Sequence, residues 1–511
     1  MIEFLHMANY KPTEKGQGLF LAVNLSEQII PGTFEHTLEN LIDNRLDLSI
    51  FDCKYKNDFT GAPAIKPRIL LKIIIYCYSL GIISSRKIAK LCESHILVKA
   101  LAEDTEPHYT TISDFISGMS DEIEIVFTEV LLVCDEMGLI KGKMFAVDGC
   151  KLPSNASKEY SGTKKELQEK YSKLKKLTKK ILEKHKHNDK IGKKEFESDT
   201  RKLERLENKA QKILEFLSTH EDRKGTGGQI IQSNITDNES GKIKCSSGVI
   251  QGYNGIAVAD SKNQVIIAAN AYGTVAEGQY FGEMLDQTEK NMKLLKGQKM
   301  PLKGKVILAD TAHFSEDNLQ IAKKKEMQAV IPDNQFRNRD DDLKEGKRRE
   351  GKEKFDSRYF EYEKKGNYFV CPNGKKLIFR GKTKLNRNEG YKYESKASDC
   401  TGCPYANRCF HTKKKVKKYR TLYIPISRYK ENLCQKMREN IDTPKYKKLY
   451  SYRLKIIEPV FANITYCKGM RRFTLRTQRK VRIQWLLYCL VHNIGKCNVA
   501  EKRKMVITGK K

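Results

Sequence analysis

A mixed α/β core, preceded by an all-α region and interrupted by a helical hairpin and a cysteine-rich segment, is the fold class that this sequence predicts. Three observations lead there. Between residues 140 and 332, short apolar runs of strand length alternate with stretches of helical apolar spacing. Residues 1–125 carry helical spacing alone. Two blocks then change character, a lysine-dense one at 160–222 and a polar, cysteine-bearing one at 333–425.

The N-terminal region divides into several short helices. "FEHTLENLIDN" has helical apolar spacing, and "PRILLKIIIYCYSLGII" (67–83) starts on a proline, which suits a first helical turn. The latter run holds Arg68 and Lys72 and falls short of the roughly 20 residues a membrane span needs, so a buried helix is expected. "SSRKIAKLCESHILVKAL" follows, with Ser84 or Ser85 as N-cap and Ile88, Leu91 and Cys92 on one face. "HYTTISDFISGM" (108–119) reads as another cap, turn and helix. Arg86, Lys87 and Lys90 occupy the polar face of the third helix. That set suits a helix-turn-helix DNA binder, and a plain helical bundle equally well.

The core region opens on "FAVDGC", where Phe145, Ala146 and Val147 read as a buried strand with Asp148 at its end. Asp-Gly is also a common turn dipeptide, so a turn is the competing reading. Next, Leu167, Tyr171, Leu174, Leu177 and Ile181 alternate spacings of four and three. Leu203, Leu206, Ala210, Ile213 and Leu217 repeat the pattern after the break "HKHNDKIG", which predicts a helical hairpin serving as a solvated spacer. Residues 247–273 read as two strands joined by "DSKNQ", and "QYFGEMLDQTEKNMKLL" reads as a helix. "VILA" is a strand ending in Asp310, and Ser315 caps the helix "EDNLQIAKKK", whose first turn is acidic as the helix dipole favours. "QAVIP" (328–332) closes the series. The order is strand, hairpin of two strands, helix, strand, helix, strand.

The polar block 333–425 holds Cys371 in "CPNGKK" and Cys400, Cys403 and Cys409 in "DCTGCPYANRCF". Four thiols beside turn residues are the number and kind of ligand that a closed tetrahedral zinc site takes. Buried free thiols are the other reading. The remainder, 426–511, is mostly helical and completes the core. There Ile456, Ile457, Val460 and Phe461 form an apolar surface with one acid, Glu458, among them.

Charge narrows the function. The 511 residues include 96 Lys+Arg against 63 Asp+Glu, a net charge of +33, which points to a polyanion and first of all to nucleic acid. The 14 cysteines are scattered, often in apolar segments, as expected of reduced thiols in a cytosol. The opening "MIEFLHMANYKPTEKG" lacks the basic start and apolar run of a secretory leader, so a cytoplasmic protein with no membrane partner is expected.

Three carboxylates stand out: Asp148 and Asp310 at strand ends and Glu458 on a late helix. Phosphodiester chemistry needs charge neutralised on the phosphate, an activated nucleophilic oxygen and a stabilised leaving oxygen. Two divalent metals roughly 4 Å apart supply all three. Hard carboxylate oxygens suit Mg²⁺ or Mn²⁺. His313, three residues past Asp310, is read as a loop histidine in preference to a further ligand.

These residues carry a resemblance. "FAVDGCKLPSNAS", "VILADTAHFSEDNL" and "YSYRLKIIEPVFANI", followed by "RRF" and a late "HNIGK", are similar to the three acidic segments of bacterial insertion-sequence DDE transposases. "GAPAIKPRILLKIIIYCYSLGIISSRKIAKLC" resembles the helical DNA-binding domain that precedes such cores, and "GYNGIAVADSKNQVIIAANAYG" and "CTGCPYANRC" fit the same branch. The resemblance implies a ribonuclease-H-like core whose Asp148, Asp310 and Glu458 hold Mg²⁺ or Mn²⁺. It implies double-stranded DNA, at the element's ends and at the target, as partner, and the synapsis of two ends then calls for at least a homodimer on that DNA.

Members of that family carry a tyrosine and an arginine before the glutamate and a lysine seven residues after it. Here Tyr450 and Arg453 precede Glu458, the arginine one residue further away than usual, and position 465 is threonine. Lys468 and Arg472 lie further along as candidates to face DNA, with Arg453. A non-catalytic DNA-binding regulator, or a degenerate inactive copy, is the alternative.

Overall fold

The computed structural model describes residues 24–508 other than 56–62, 188–192, 226–227, 246–247, 275, 340–354, 356, 386–387, 411–418 and 427–431. The opening stretch read for a leader lies outside the described residues.

The helices that come first are α1 (Phe34–Asn44), α2 (Pro67–Ser79), α3 (Ser85–Ser94), α4 (Ile96–Leu101), α5 (Tyr109–Gly118) and α6 (Glu122–Glu136). Thr33 caps α1 by accepting from the His36 N–H, and His108 caps α5 by accepting from Thr110. Ser84 stands at the N-cap of α3, as expected, but makes no side-chain capping bond. α2 is buried from Ile69 to Ser79, which explains its continuous apolar run. Its Lys72 is fully buried, and Nζ lies 2.8 Å from Asp43 and 3.1 Å from Glu103. A buried cation survives folding only with such partners.

The chain then enters β1 (Met144–Pro153) and leaves it for the hairpin α7 (Lys164–His187) and α8 (Lys193–Thr219). The hairpin has its own small apolar cluster, with Leu167, Ile213 and Phe216 buried. The sheet resumes with β2 (Gly241–Cys245), β3 (Gly248–Asp260) and β4 (Ile266–Tyr272), followed by α9 (Phe281–Lys296). β5 (Val306–Leu308), α10 (Glu316–Lys324) and β6 (Gln328–Val330) complete it, and Ser315 caps α10 as the sequence predicts.

Across the sheet the strands run β6-β5-β1-β3-β4, with β2 also on β3. β1, β3 and β4 pair antiparallel, whereas β5 lies parallel to β1 and β6 parallel to β5. This is the expected element order, with β2 added. One expectation fails. β1 does not end at Asp148 but continues to Pro153, because residues 148–153 keep their antiparallel pairing with 252–257 of β3.

Residues 361–425 form a second sheet that the polar composition concealed. β7 (Glu361–Glu363), β8 (Tyr368–Val370), β9 (Lys376–Leu385), β10 (Asn388–Glu394) and β11 (Thr421–Pro425) pair as an antiparallel meander. Phe355, Phe360, Phe369, Leu377, Tyr393 and Leu422 make its separate core.

The C-terminal helices are α11 (Leu433–Ile441), α12 (Pro444–Ala462) and α13 (Gln478–Thr508). α13 packs against α1, α2 and α6 as well as β4, so the N-terminal helices and the sheet share one apolar core. Trp485 on α13 is fully buried and donates to the Ile256 carbonyl of β3 at 3.0 Å. Asn493 accepts from the Ile266 N–H and donates to the Ile266 carbonyl, both at 2.9 Å, fixing α13 to the start of β4. Among the described residues no helix is long and apolar enough to cross a membrane.

Candidate active site

The site forms where β1 and β5 run side by side. Ala146 is in parallel register with Leu308, so two residues further on Asp148 and Asp310 stand at equivalent places on neighbouring chain segments. Asp148 projects from the middle of a strand and is nearly buried. Its Oδ1 accepts from the Gly149 N–H at 2.9 Å, and its Oδ2 lies 2.7 Å from the Arg453 guanidinium. Burial pushes the Asp148 carboxyl up to about 6 and the charge of Asp310 adds to that, against the opposing pull of Arg453.

Asp310 caps the short turn Thr311–His313, accepting from the Ala312 N–H at 3.0 Å. His313 Nδ1 lies 2.8 Å from Asp310 Oδ1. Burial raises this carboxyl, but the hydrogen bond and charge of His313, with Arg453, outweigh it and hold Asp310 below its ordinary range. His313 is fully buried, so it is not the loop histidine that the sequence suggests.

Glu458 lies on α12 with its side chain 57% exposed, 3.9 Å from Arg453 Nη1. The sequence places it amid an apolar patch, but helical spacing separates them. Ile456, Ile457, Val460 and Phe461 turn inward and Glu458 turns outward. Arg453 thus connects the first and third acids. It is buried against Asp148, not spread on the surface to meet DNA. Tyr450, one turn before it, packs edge-on against Phe336.

A fourth acid was not legible. Glu277, at the start of the turn Glu277–Tyr280 after β4, is 4% exposed and lies 2.8 Å from Lys151 Nζ of β1. Glu277, Asp310 and His313 each offer a ligand atom within 4.8 Å of the other two, an arrangement that can hold a metal ion. In the sequence Glu277 looks like an ordinary turn acid, and only its burial marks it.

The remaining candidates fall elsewhere. Arg86, Lys87 and Lys90 are exposed on α3, with the Arg86 guanidinium 4.9 Å from the Tyr109 ring centre. Lys468 lies 5.5 Å from the Phe34 ring of α1, and burial lowers its pKa, so it sits at the junction with the N-terminal helices. Arg472 is exposed and donates to the Ser154 carbonyl at 3.2 Å.

Burial raises the Cys409 thiol, and Cys400, Cys371 and Cys403 lie near enough to raise it further. The Cys371 Sγ accepts from the Lys375 N–H at 3.4 Å in a turn closed by Gly374 at φ +71°. Among the described residues, however, the groups whose ligand atoms all lie within 4.8 Å do not include these cysteines. A zinc tetrahedron with Zn–S of about 2.3 Å sets its sulfurs about 3.8 Å apart. The thiols are therefore gathered, but more widely than a closed zinc site.

Residues 370–498 match the transposase DDE domain, and residues 23–118 match a transposase domain (DUF772). Comparison with curated proteins gives no match. The first match contains Glu458, Arg453 and the four cysteines, and the second contains α1 to α5. Asp148 and Asp310 lie outside both. The two matches support the resemblance to insertion-sequence DDE transposases and indicate a transposase, with DNA as the partner that the family implies.

Proposed function

We propose that this chain, with transposase-domain matches at both ends, cleaves DNA at the ends of its own mobile element and joins the freed 3′ hydroxyl to a target. The observation that carries the reading is the placement of Asp148 and Asp310 side by side, on β1 and just past the end of β5, with Glu458 linked to Asp148 through Arg453. A ribonuclease-H-like core is the finer fold reading. It is supported by a sheet in which four antiparallel strands meet two parallel ones, with α9 before β5 and α10 before β6.

Hard oxygen donors on Asp148, Asp310 and Glu458 suit Mg²⁺ or Mn²⁺ in kind, although among the described residues these three do not draw within 4.8 Å of one another as Glu277, Asp310 and His313 do. Such ions, when bound, neutralise phosphate charge and lower the pKa of a coordinated water. The chain's own part is positional. β1 and β5 fix two carboxylates on a rigid sheet, His313 orients Asp310, and Arg453 holds Asp148 and stands beside Glu458. Phosphoryl transfer depends largely on such positioning and electrostatics. The net charge of +33 supplies sequence-independent affinity for DNA.

The exposed basic face of α3 is the proposed reader of the element's ends. Synapsis of two ends calls for at least two copies of the chain, and the nucleoid is the expected site of action. Zinc at the four cysteines belongs to this reading and requires the thiols to draw together.

The test is divalent-metal-dependent cleavage of DNA carrying the element's flanking ends, comparing the unaltered protein with Asp310→Asn. Loss of cleavage with DNA binding retained is expected. Equal cleavage by both removes Asp310 from the mechanism, and DNA binding without cleavage by either favours the non-catalytic regulator.

A further inference from the structure

We infer that Glu277 is a fourth carboxylate of the metal centre, sharing one divalent-cation position with Asp310 and His313. The inference deepens the proposed function and rests on it only for the reaction the ion serves. The cation site itself stands on geometry.

Glu277 is an acid almost removed from water, and burying a carboxylate without a compensating charge is costly. Its one cation among the described residues is Lys151, itself one-third exposed and three residues along β1 from Asp148. The ligand atoms of Glu277, Asp310 and His313 fall within 4.8 Å of one another. In an octahedral Mn²⁺ shell, which accepts imidazole beside carboxylates, bonds of about 2.1 Å set adjacent ligand atoms about 3 Å apart and opposite ones about 4.2 Å. The three groups need to close by little to fit it.

A second, independent observation concerns how the two turns are joined. Asn318 of α10, nearly buried, donates to the Gly278 carbonyl at 2.8 Å and to the His313 carbonyl at 2.9 Å. One side chain thereby clamps the Glu277 turn onto the Asp310–His313 turn. The two pass so closely that a Cβ on Gly278 would sit 2.5 Å from the Ala312 carbonyl oxygen. His313 is fully buried, and its Nε2 has no hydrogen-bond partner among the described residues. A bare structural role for Glu277 explains its ion pair with Lys151 but not a histidine with spare ligand capacity locked beside it. Lys151 is the resident cation that an entering metal replaces as the partner of Glu277.

The probe is Mn²⁺ alone, titrated into the full chain and followed by the electron paramagnetic resonance of the free ion and by the shift in melting temperature. Glu277→Gln is expected to weaken one Mn²⁺ at least about tenfold, the lower end of what the loss of a mere supporting partner costs. Glu458→Gln leaves that ion in place. Lys151→Met leaves Glu277 without its cation, so it melts earlier without metal, binds Mn²⁺ more tightly, and gains more in melting temperature from it than the unaltered protein.

Unchanged Mn²⁺ binding in a folded Glu277→Gln protein overturns the inference. So does a Lys151→Met protein that Mn²⁺ does not restore, a test that stands even if Glu277→Gln fails to fold. A protein that binds Mn²⁺ in this pattern yet never cleaves DNA overturns the proposed function and leaves the cation site standing.

Discussion

The Arg453 guanidinium lies 2.7 Å from the Asp148 carboxylate, and both side chains are about nine-tenths buried. A positive charge thus stands on the first acid of a candidate metal site. Removing one member of a buried ion pair strands the other, so Arg453→Gln should cost about 3–5 kcal/mol of folding stability. A divalent cation substitutes for the lost charge. Urea unfolding with and without Mg²⁺ should therefore show a larger Mg²⁺-induced rise in midpoint for Arg453→Gln than for the unaltered protein. Equal rises would separate Asp148 from metal binding.

His492 governs an acid limit. Burial, followed by the nearby charge of Lys496, lowers its pKa from 6.5 to about 3, with the hydrogen bond to the Gln264 carbonyl opposing. Lys468 also bears on it, and its Nδ1 faces the Asn463 side chain at 3.1 Å. Between pH 6.5 and 3 the unfolded chain binds a proton on His492 that the folded chain refuses, so stability falls as pH falls through that window. The loss is on the order of a few kcal/mol. Unfolding free energies measured from pH 7 to pH 4 should decline less steeply for His492→Gln. Parallel curves would show that His492 does not set the limit.

Asn493 is a structural rivet. Its amide satisfies both the N–H and the carbonyl of Ile266 in the buried core. Asn493→Ala orphans both backbone groups and should destabilise the fold by about 2–4 kcal/mol. Asn493→Asp should cost at least as much at neutral pH, since it buries a carboxylate with no compensating charge and sets it against the Ile266 carbonyl. A loss below about 1 kcal/mol in Asn493→Ala, by chemical denaturation, would mean that water fills the gap.

The element order of the main sheet was legible because its strands are short apolar runs and its helices carry clear caps, as at Ser315. The cross-strand placement of Asp148 was legible too, but not its position within the strand. "CKLP" looks like a loop, and only pairing with β3 keeps it extended. The second sheet stayed hidden because its strands are short, as in "EYE" and "YFV", or heavily charged, as in "KLIFRGKTKL" and "NEGYKYE", and cover only a small core. Glu277 stayed hidden for another reason. Burial of a turn acid is a tertiary fact, and no local pattern distinguishes it from a solvated one. The late "HN" pair reads in the sequence as a mark of the third acidic segment, whereas its side chains secure α13 to β4 and to the turn before it.

The basic face of α3 supplies the last prediction. Lys87 and Lys90 are exposed there, whereas Arg86 also stacks on Tyr109 of α5 and so carries packing as well as charge. The two lysines are therefore the cleaner test of whether this helix meets DNA or merely caps a bundle. Removing one lysine–phosphate pair should reduce the slope of log affinity against log salt by about 0.9. Lys87→Gln with Lys90→Gln should then weaken binding to the element's ends and flatten the salt dependence, while the melting temperature stays put. An unchanged slope would take α3 off the DNA and leave the N-terminal helices as packing for α13, whose apolar face they already cover.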